Sequence, residues 1–151
     1  MTTKKSKINS SQAFKKDLLV GQEVEKKLLA SIQKKYPTAV LVPGKFKPYD
    51  IYIPENDLKV EIKADFKSKE TGNILIELMM FGEPSALLTT GADFWIFDTG
   101  DEIMVTTPSL IMECIMVNNV PSQDILGDGD SQKKRACLIP IDLFKKYLTN
   151  S

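Results

Sequence analysis

Two alternating runs, "YDIYI" at 49–53 and "LKVEIKAD" at 58–65, are joined by "PEND". Alternation with period two, and Ile, Val or Leu on one set of positions, argues for half-buried strands. A short polar joint containing Pro, Asn and Asp between such runs makes a hairpin. A four-residue loop of Pro54–Asp57 pairs Ile53 with Leu58, so paired positions sum to 111; a two-residue loop of Glu55–Asn56 has the same register. Asp50 then stands opposite Glu61, a deduction that an odd-length loop would break. Ile51, Ile53, Leu58, Val60, Ile62 and Ala64 share one face of this hairpin, and Asp50, Tyr52, Lys59, Glu61 and Lys63 share the other.

Opposed side chains on neighbouring strands have Cβ atoms about 4.5–5.5 Å apart, and like charges there are destabilising. A cation between the carboxylates removes the repulsion. Mg²⁺ takes oxygen ligands at about 2.0–2.1 Å and keeps several waters, so two carboxylates on adjacent strands suit it. Lys63 lies two residues past Glu61, roughly 6.5 Å along the same face. An ammonium there can orient a metal-bound water and offset charge on a phosphate. The competing reading is a solvated hairpin face, on which Glu-x-Lys pairs are common; it predicts no divalent-cation binding.

Composition narrows the chemistry. The chain of 151 residues contains no histidine, which excludes Ser-His-Asp and Cys-His nucleophiles and His-ligated zinc. Cys114 and Cys137 are too few and too far apart for a disulfide framework or a zinc knuckle. No apolar run reaches the roughly 18–20 residues of a membrane span, and the polar start "MTTKKSKINS" lacks the apolar core of a secretory signal. An intracellular protein without membrane contact is expected. Net charge is zero, yet residues 1–35 carry nine Lys against three acids. That bias reads either as a polyanion-binding end or as a solubilising tail. Arg135 is the single arginine, so nucleic-acid contact should use backbone phosphates rather than Arg-mediated base readout.

The remaining pattern is that of one mixed α/β domain over 11–151 behind a flexible basic segment, 1–10. A helix is expected from Ser11 to Tyr36, with Phe14, Leu18, Gly21, Glu25, Leu28, Leu29 and Ile32 on one face and Pro37 after it. "AVLVP" is a candidate short strand, and "NILIELMM" a strand after the loop "KSKETG". "PSALLTTG" reads as a turn or short helix, and "DFWIF" and "EIMVT" as a hairpin. "TPSLIMECIMVNN" has a Thr cap and Pro at the first helical position, so a helix follows. Residues 122–135 read as a loop, "ACLIP" as a strand and "DLFKKYL" as a closing helix. Glu25 falls on the apolar face of the first helix, where a carboxylate needs a metal, a lysine or a hydrogen-bond network unless the helix is rotated to expose it. Glu77 shares a face with Leu75 and Met79 and is a supporting candidate.

These residues together resemble the PD-(D/E)xK nuclease superfamily. "PYD" at 48–50 is similar to its first half-motif with one residue inserted, and "EIK" at 61–63 to its (D/E)-x-K. "GQEVE" at 21–25 resembles the Gly-x-x-x-Glu helix of Holliday-junction resolvases and phage nucleases. The resemblance covers about Ser11–Phe97. It implies a restriction-endonuclease-like αβββαβ core with a mixed central sheet flanked by helices. It also implies Mg²⁺ (or Mn²⁺) held by Asp50, Glu61 and the Ile62 carbonyl. Lys63 would position the attacking water, and Glu25 would complete the site or hold a second ion. The implied activity is hydrolysis of DNA phosphodiester bonds, structure-specific for branched DNA and carried out by a homodimer, with "LIMECIMV" a possible dimer face or a core helix. Lys4, Lys5, Lys7, Lys15 and Lys16 would contact the DNA backbone. A phage-encoded enzyme of this kind would act in host cytoplasm. The alternatives are a nicking, restriction-like or end-processing nuclease, a non-catalytic nucleic-acid-binding module of the same fold, and an interaction protein with a merely charged hairpin.

Overall fold

The computed structural model describes residues 10–44, 47–126 and 133–149. Lys4, Lys5, Lys7 and the Phe14 side chain lie outside the described part. The protein is mixed α and β, with a mixed five-stranded sheet, an antiparallel four-stranded sheet and several helices.

Helix α1 (Ser10–Gln33) opens the described chain, and the Gln33 side chain closes its end by donating to the Ala39 carbonyl at 2.9 Å. Its inward stripe is Val24 and Leu28, with Leu29 and Ile32 packed beside them. The stripe therefore differs from the expected one. Leu18 and Leu19 are 51% and 61% exposed. Strands β1 (Val40–Leu41), β2 (Ile51–Ile53) and β3 (Leu58–Ala64) follow, antiparallel to one another. The β2–β3 pairs are Ile51↔Val60, Tyr52↔Lys59 and Ile53↔Leu58, the register expected from a Pro54–Asp57 loop. Tyr52 ties the turn by donating its hydroxyl proton to Asp57 Oδ1 at 2.7 Å.

After β3 come the short helix α2 (Ser68–Thr71), strands β4 (Asn73–Met80) and β5 (Glu83–Pro84), and a 3-10 turn at Ala86–Leu88. Strand β6 (Phe94–Asp98) then returns parallel to β3, and β7 (Ile103–Thr106) pairs antiparallel with β6. Helix α3 (Pro108–Val117) begins at Thr107, whose side chain accepts from the Leu110 N–H at 3.1 Å. Strands β8 (Ser122–Leu126) and β9 (Lys133–Pro140) and the short helix α4 (Ile141–Phe144) complete the set. The sheet orders are β1-β2-β3-β6-β7 and β5-β4-β9-β8.

Three expectations are corrected. Asn73–Met80 is a strand, but it pairs with β9 and β5 rather than joining the hairpin sheet. Of residues 122–135, read as loop, 122–126 form β8 and 133–135 open β9, while 127–132 lie outside the described part; pairing to β9 satisfies the backbone of a polar segment that has no strand signature. "KSKETG" holds the one-turn helix α2, closed by Gly72 at φ 77°, the left-handed conformation glycine adopts freely.

β6 explains the layering. Ile96 joins Val24, Leu28, Ile51, Val60 and Ile62 in a cluster under α1. Trp95 and Phe97 join Ile74, Ile76, Cys137, Ile139 and Phe144 in a second cluster against the other sheet. A strand buried on both faces reads as a continuous apolar run, as "FWIF" does. α3 buries Ile111 and Cys114 and leaves Met116 and Val117 exposed. Among the described residues no helix is long and apolar enough to cross a membrane.

Candidate active site

The apolar face of the β2–β3 hairpin lies under α1, so Glu61 and Lys63 must project from its opposite face. There β3 borders two clefts. One is lined by Lys63, Asp65, Leu75, Glu77 and Trp95 and separates the two sheets. The other is lined by Lys47, Glu61, Thr89, Thr90, Gly91 and Trp95. Trp95 belongs to both, and the Glu61–Lys63 pair stands between them.

Asp50 is 7% exposed and stands one residue before the β2–β3 ladder, whose last pair is Ile51↔Val60, so it is not paired opposite Glu61 as expected. Its N–H donates to the Val60 carbonyl at 2.9 Å, and its carbonyl accepts from the Val42 N–H at 2.9 Å. Its carboxylate Oδ2 accepts from the Ile62 N–H at 2.7 Å. The side chain thus takes the place of a backbone acceptor. Charge-assisted bonds of this length are among the stronger ones. In an extended strand the N–H and C=O of one residue point the same way. The Ile62 carbonyl therefore faces the Asp50 side of β3.

Glu61 is half-buried, and Lys63 Nζ lies 3.2 Å from Glu61 Oε2. The same ammonium sits 5.2 Å above the Trp95 ring, and the Trp95 indole N–H donates to Thr90 Oγ1 at 3.1 Å. Lys63 is thus held between a carboxylate and an aromatic face. Burial pushes the Glu61 carboxyl up; Lys63 and Lys47 oppose that, and the Asp50 carboxylate adds to it, with a net upward shift.

Glu25 is brought to the same place through Lys47, a residue that the sequence reading passed over. Lys47 Nζ lies 3.1 Å from Glu25 Oε1 and 3.4 Å from Asp50 Oδ1. Burial alone would lower the Lys47 ammonium, but the hydrogen bond to Glu25 and the charges of Asp50 and Glu25 outweigh it and raise the group. The signal was present in "KPYD", where Lys stands three residues before Asp. Nothing short of the folded chain connects that lysine to Glu25. Gly21 has no close neighbour: a Cβ there meets nothing within 4 Å.

Glu77 lies across the inter-sheet cleft from Lys63. It accepts from Ser85 Oγ at 2.7 Å and lies 3.7 Å from Lys134 Nζ. Lys15 and Lys16 are exposed on α1. Arg135 is tied across β8 and β9 by a 2.9 Å ion pair to Asp124 and a 3.0 Å bond to Ser122 Oγ. A further buried carboxylate, Asp98, was not anticipated. It accepts from the Gly100 N–H at 2.8 Å and meets Lys27 at 3.4 Å, so it holds the β6–β7 turn to α1.

Asp50, Glu61 and the Ile62 carbonyl are hard oxygen donors, the class that Mg²⁺ and Mn²⁺ select. The repulsion between Asp50 and Glu61 is the electrostatic condition a bound cation relieves. Among the described residues, however, no three carboxylate or thiol side chains are gathered around a single point as a finished metal cage. Lys47 stands between Glu25 and Asp50 instead. The donor set fits a divalent ion held by two carboxylates, a carbonyl and water, with Glu25 withheld by the lysine. Comparison with models of protein families, with curated proteins and with solved structures found no match to this chain.

Proposed function

We propose that the chain is a metal-dependent endonuclease of the PD-(D/E)xK type that hydrolyses DNA phosphodiester bonds, with branched DNA such as a Holliday junction as its substrate. The observation that carries the reading is the cluster in which Lys47 lies against both Glu25 and the buried Asp50, and Lys63 against the half-buried Glu61, whose carboxyl the Asp50 charge pushes up. Ordinary strand surfaces avoid that arrangement, and catalytic sites use it. The finer fold reading, a restriction-endonuclease-like αβββαβ core, draws support from α1, the antiparallel β1–β2–β3 and the parallel β6. It departs from the simplest version, because α2 is short and β4 and β5 intervene before β6.

In this reading Asp50, Glu61 and the Ile62 carbonyl hold Mg²⁺ or Mn²⁺. The bound ion supplies an acidified water and offsets charge on the phosphate. Lys63, steadied by Glu61 and Trp95, orients the water and stabilises charge on the phosphate oxygens. Glu77 supports the cleft wall. The Lys-rich start of the chain and the exposed Lys15 and Lys16 contact the DNA backbone. The one arginine is already paired across β8 and β9, which favours recognition of shape over bases. A homodimer and an intracellular setting belong to the same proposal.

One observation favours a second reading, a non-catalytic nucleic-acid-binding module of the same fold: a lysine occupies the space between Glu25 and Asp50. The test is a cleavage assay on a four-way junction, a flap, linear duplex and single-stranded DNA, with Mg²⁺, Mn²⁺ or chelator, for wild type and Lys63→Ala. Metal-dependent cutting of the junction that the variant loses supports the nuclease. Equal cutting of linear duplex keeps the site and moves the function to a nicking, restriction-like or end-processing enzyme. Binding of DNA without cutting by any metal supports the module.

A further inference from the structure

We propose that Lys47 is an internal counter-cation of the site. Its ammonium holds Glu25 and Asp50 together in the metal-free protein and must be displaced before a divalent ion can use both carboxylates. The inference rests on the metal-dependent reading above and adds a residue and a control step to it.

Three observations carry it. First, Lys47 Nζ lies within 3.1 Å of Glu25 Oε1 and 3.4 Å of Asp50 Oδ1. A divalent ion needs oxygen ligands at about 2.0–2.1 Å, so ion and ammonium cannot share those oxygens. Second, the charges balance only by exchange. Glu25, Asp50 and Glu61 against Lys47 and Lys63 leave the cluster one negative charge. With Lys47 withdrawn and Lys63 kept, the cluster carries two, which a divalent ion neutralises. Third, Lys47 has somewhere to go. It lines the cleft bounded by Thr89, Thr90 and Gly91, on the other side of Glu61 from the Lys63 cleft. There a displaced ammonium meets hydroxyls and solvent, and a phosphate of bound nucleic acid would be its natural partner. Metal loading and DNA docking would then assist each other, since each favours the same displaced position of one side chain.

The experiment is calorimetric titration of Mn²⁺ into the full chain at neutral pH, without DNA, for wild type, Lys47→Met and Lys63→Met. Thermal melting of each metal-free protein accompanies it. Lys47→Met should bind Mn²⁺ about tenfold more tightly or better than wild type, and more tightly than Lys63→Met, which removes the same charge from outside the Glu25–Asp50 pair. The metal-free Lys47→Met protein should melt at lower temperature, because two carboxylates lose their counter-ion. Should that variant not fold, Lys47→Gln serves, since its amide can still donate to Glu25 without the charge. Wild type that binds Mn²⁺, with a Lys47 variant that binds no tighter, overturns this inference alone. No binding by wild type or by either Lys47 variant overturns the metal reading and the inference together. Equal gains in Lys47→Met and Lys63→Met reduce the effect to net charge and also overturn it.

Discussion

Glu61 and Glu77 are both half-buried glutamates on sheet strands, each within 4 Å of a lysine, yet their surroundings differ in kind. Among the described residues Glu77 meets complementary groups, a hydroxyl from Ser85 and the ammonium of Lys134 from the neighbouring strand. Glu61 meets Lys63, and its own carboxyl is pushed upward by burial and by the charge of the Asp50 carboxylate. A fold that only needs to bury a glutamate supplies donors, as the four-stranded sheet does. A fold that sets the charge of a second carboxylate against the first leaves a repulsion that a cation would relieve. On the proposed reading, the contrast separates a satisfied structural group from a metal site.

The largest expected effect tests the Glu61 side of this contrast. Lys63→Ala should lower metal-dependent cleavage by about 10²-fold or more with the fold retained, measured as single-turnover rate against circular dichroism. The corresponding change at the other glutamate's lysine, Lys134→Ala, should leave the rate within a few-fold. A rate equal in both variants would falsify the assignment of Lys63 over Lys134.

Asp50→Ala comes next, as a change in stability. It leaves the Ile62 N–H without its acceptor at a 7% exposed position, while the Lys47 ammonium keeps Glu25. A loss of roughly 1–3 kcal/mol is expected from the orphaned donor, read from urea unfolding. Asp50→Asn should recover part of it, since the amide oxygen can still accept from Ile62.

Glu61→Gln should do the reverse and stabilise the metal-free protein at neutral pH by less than Asp50→Ala costs. The folded-state pKa of Glu61 lies above its ordinary value of 4.5. Its contribution to stability is therefore whole below that value and is lost as pH rises through the folded one. The melting-temperature gain of Glu61→Gln over wild type should be absent at pH 4, grow toward pH 7, and shrink again when Mn²⁺ is added to wild type. A gain that is flat with pH would show that the substitution acts through packing instead. The smallest effect belongs to Glu77→Gln, whose side-chain oxygen still accepts from Ser85. Its stability should fall by about 1 kcal/mol or less, and Mn²⁺ affinity should stay at the wild-type value. A weakened affinity would bring Glu77 into the site and erase the contrast.

Much of this was legible in the residues themselves. The β2–β3 register follows from a loop of even length between alternating runs, and local geometry leaves no other choice once one face is buried. The Thr107 cap with Pro108 starts α3 by chemistry contained in four residues. The pairing of Asp50 with Glu61 was not: the ladder stops at Ile51↔Val60, and Asp50 donates its N–H to the Val60 carbonyl and turns its carboxylate to the Ile62 N–H.

Other features depend on contacts far apart in sequence, which no local pattern encodes. The neighbour of β3 on its second edge is β6, thirty residues on in the chain, while the nearer strand β4 pairs with β9. Both pairings bury comparable apolar runs, so the choice lies in how two sheets and α1 share one core around Trp95, Ile96 and Phe97. β8 exists because β9 offers an edge. Lys47 becomes part of the cluster only when α1 crosses the hairpin and sets Glu25 beside it. Periodicity and capping act within a few residues, so the sequence by itself determined the hairpin and its register. Strand partners and the counter-ion of a buried charge are settled by packing across the whole chain, so the tertiary structure alone decided the sheet order and Lys47.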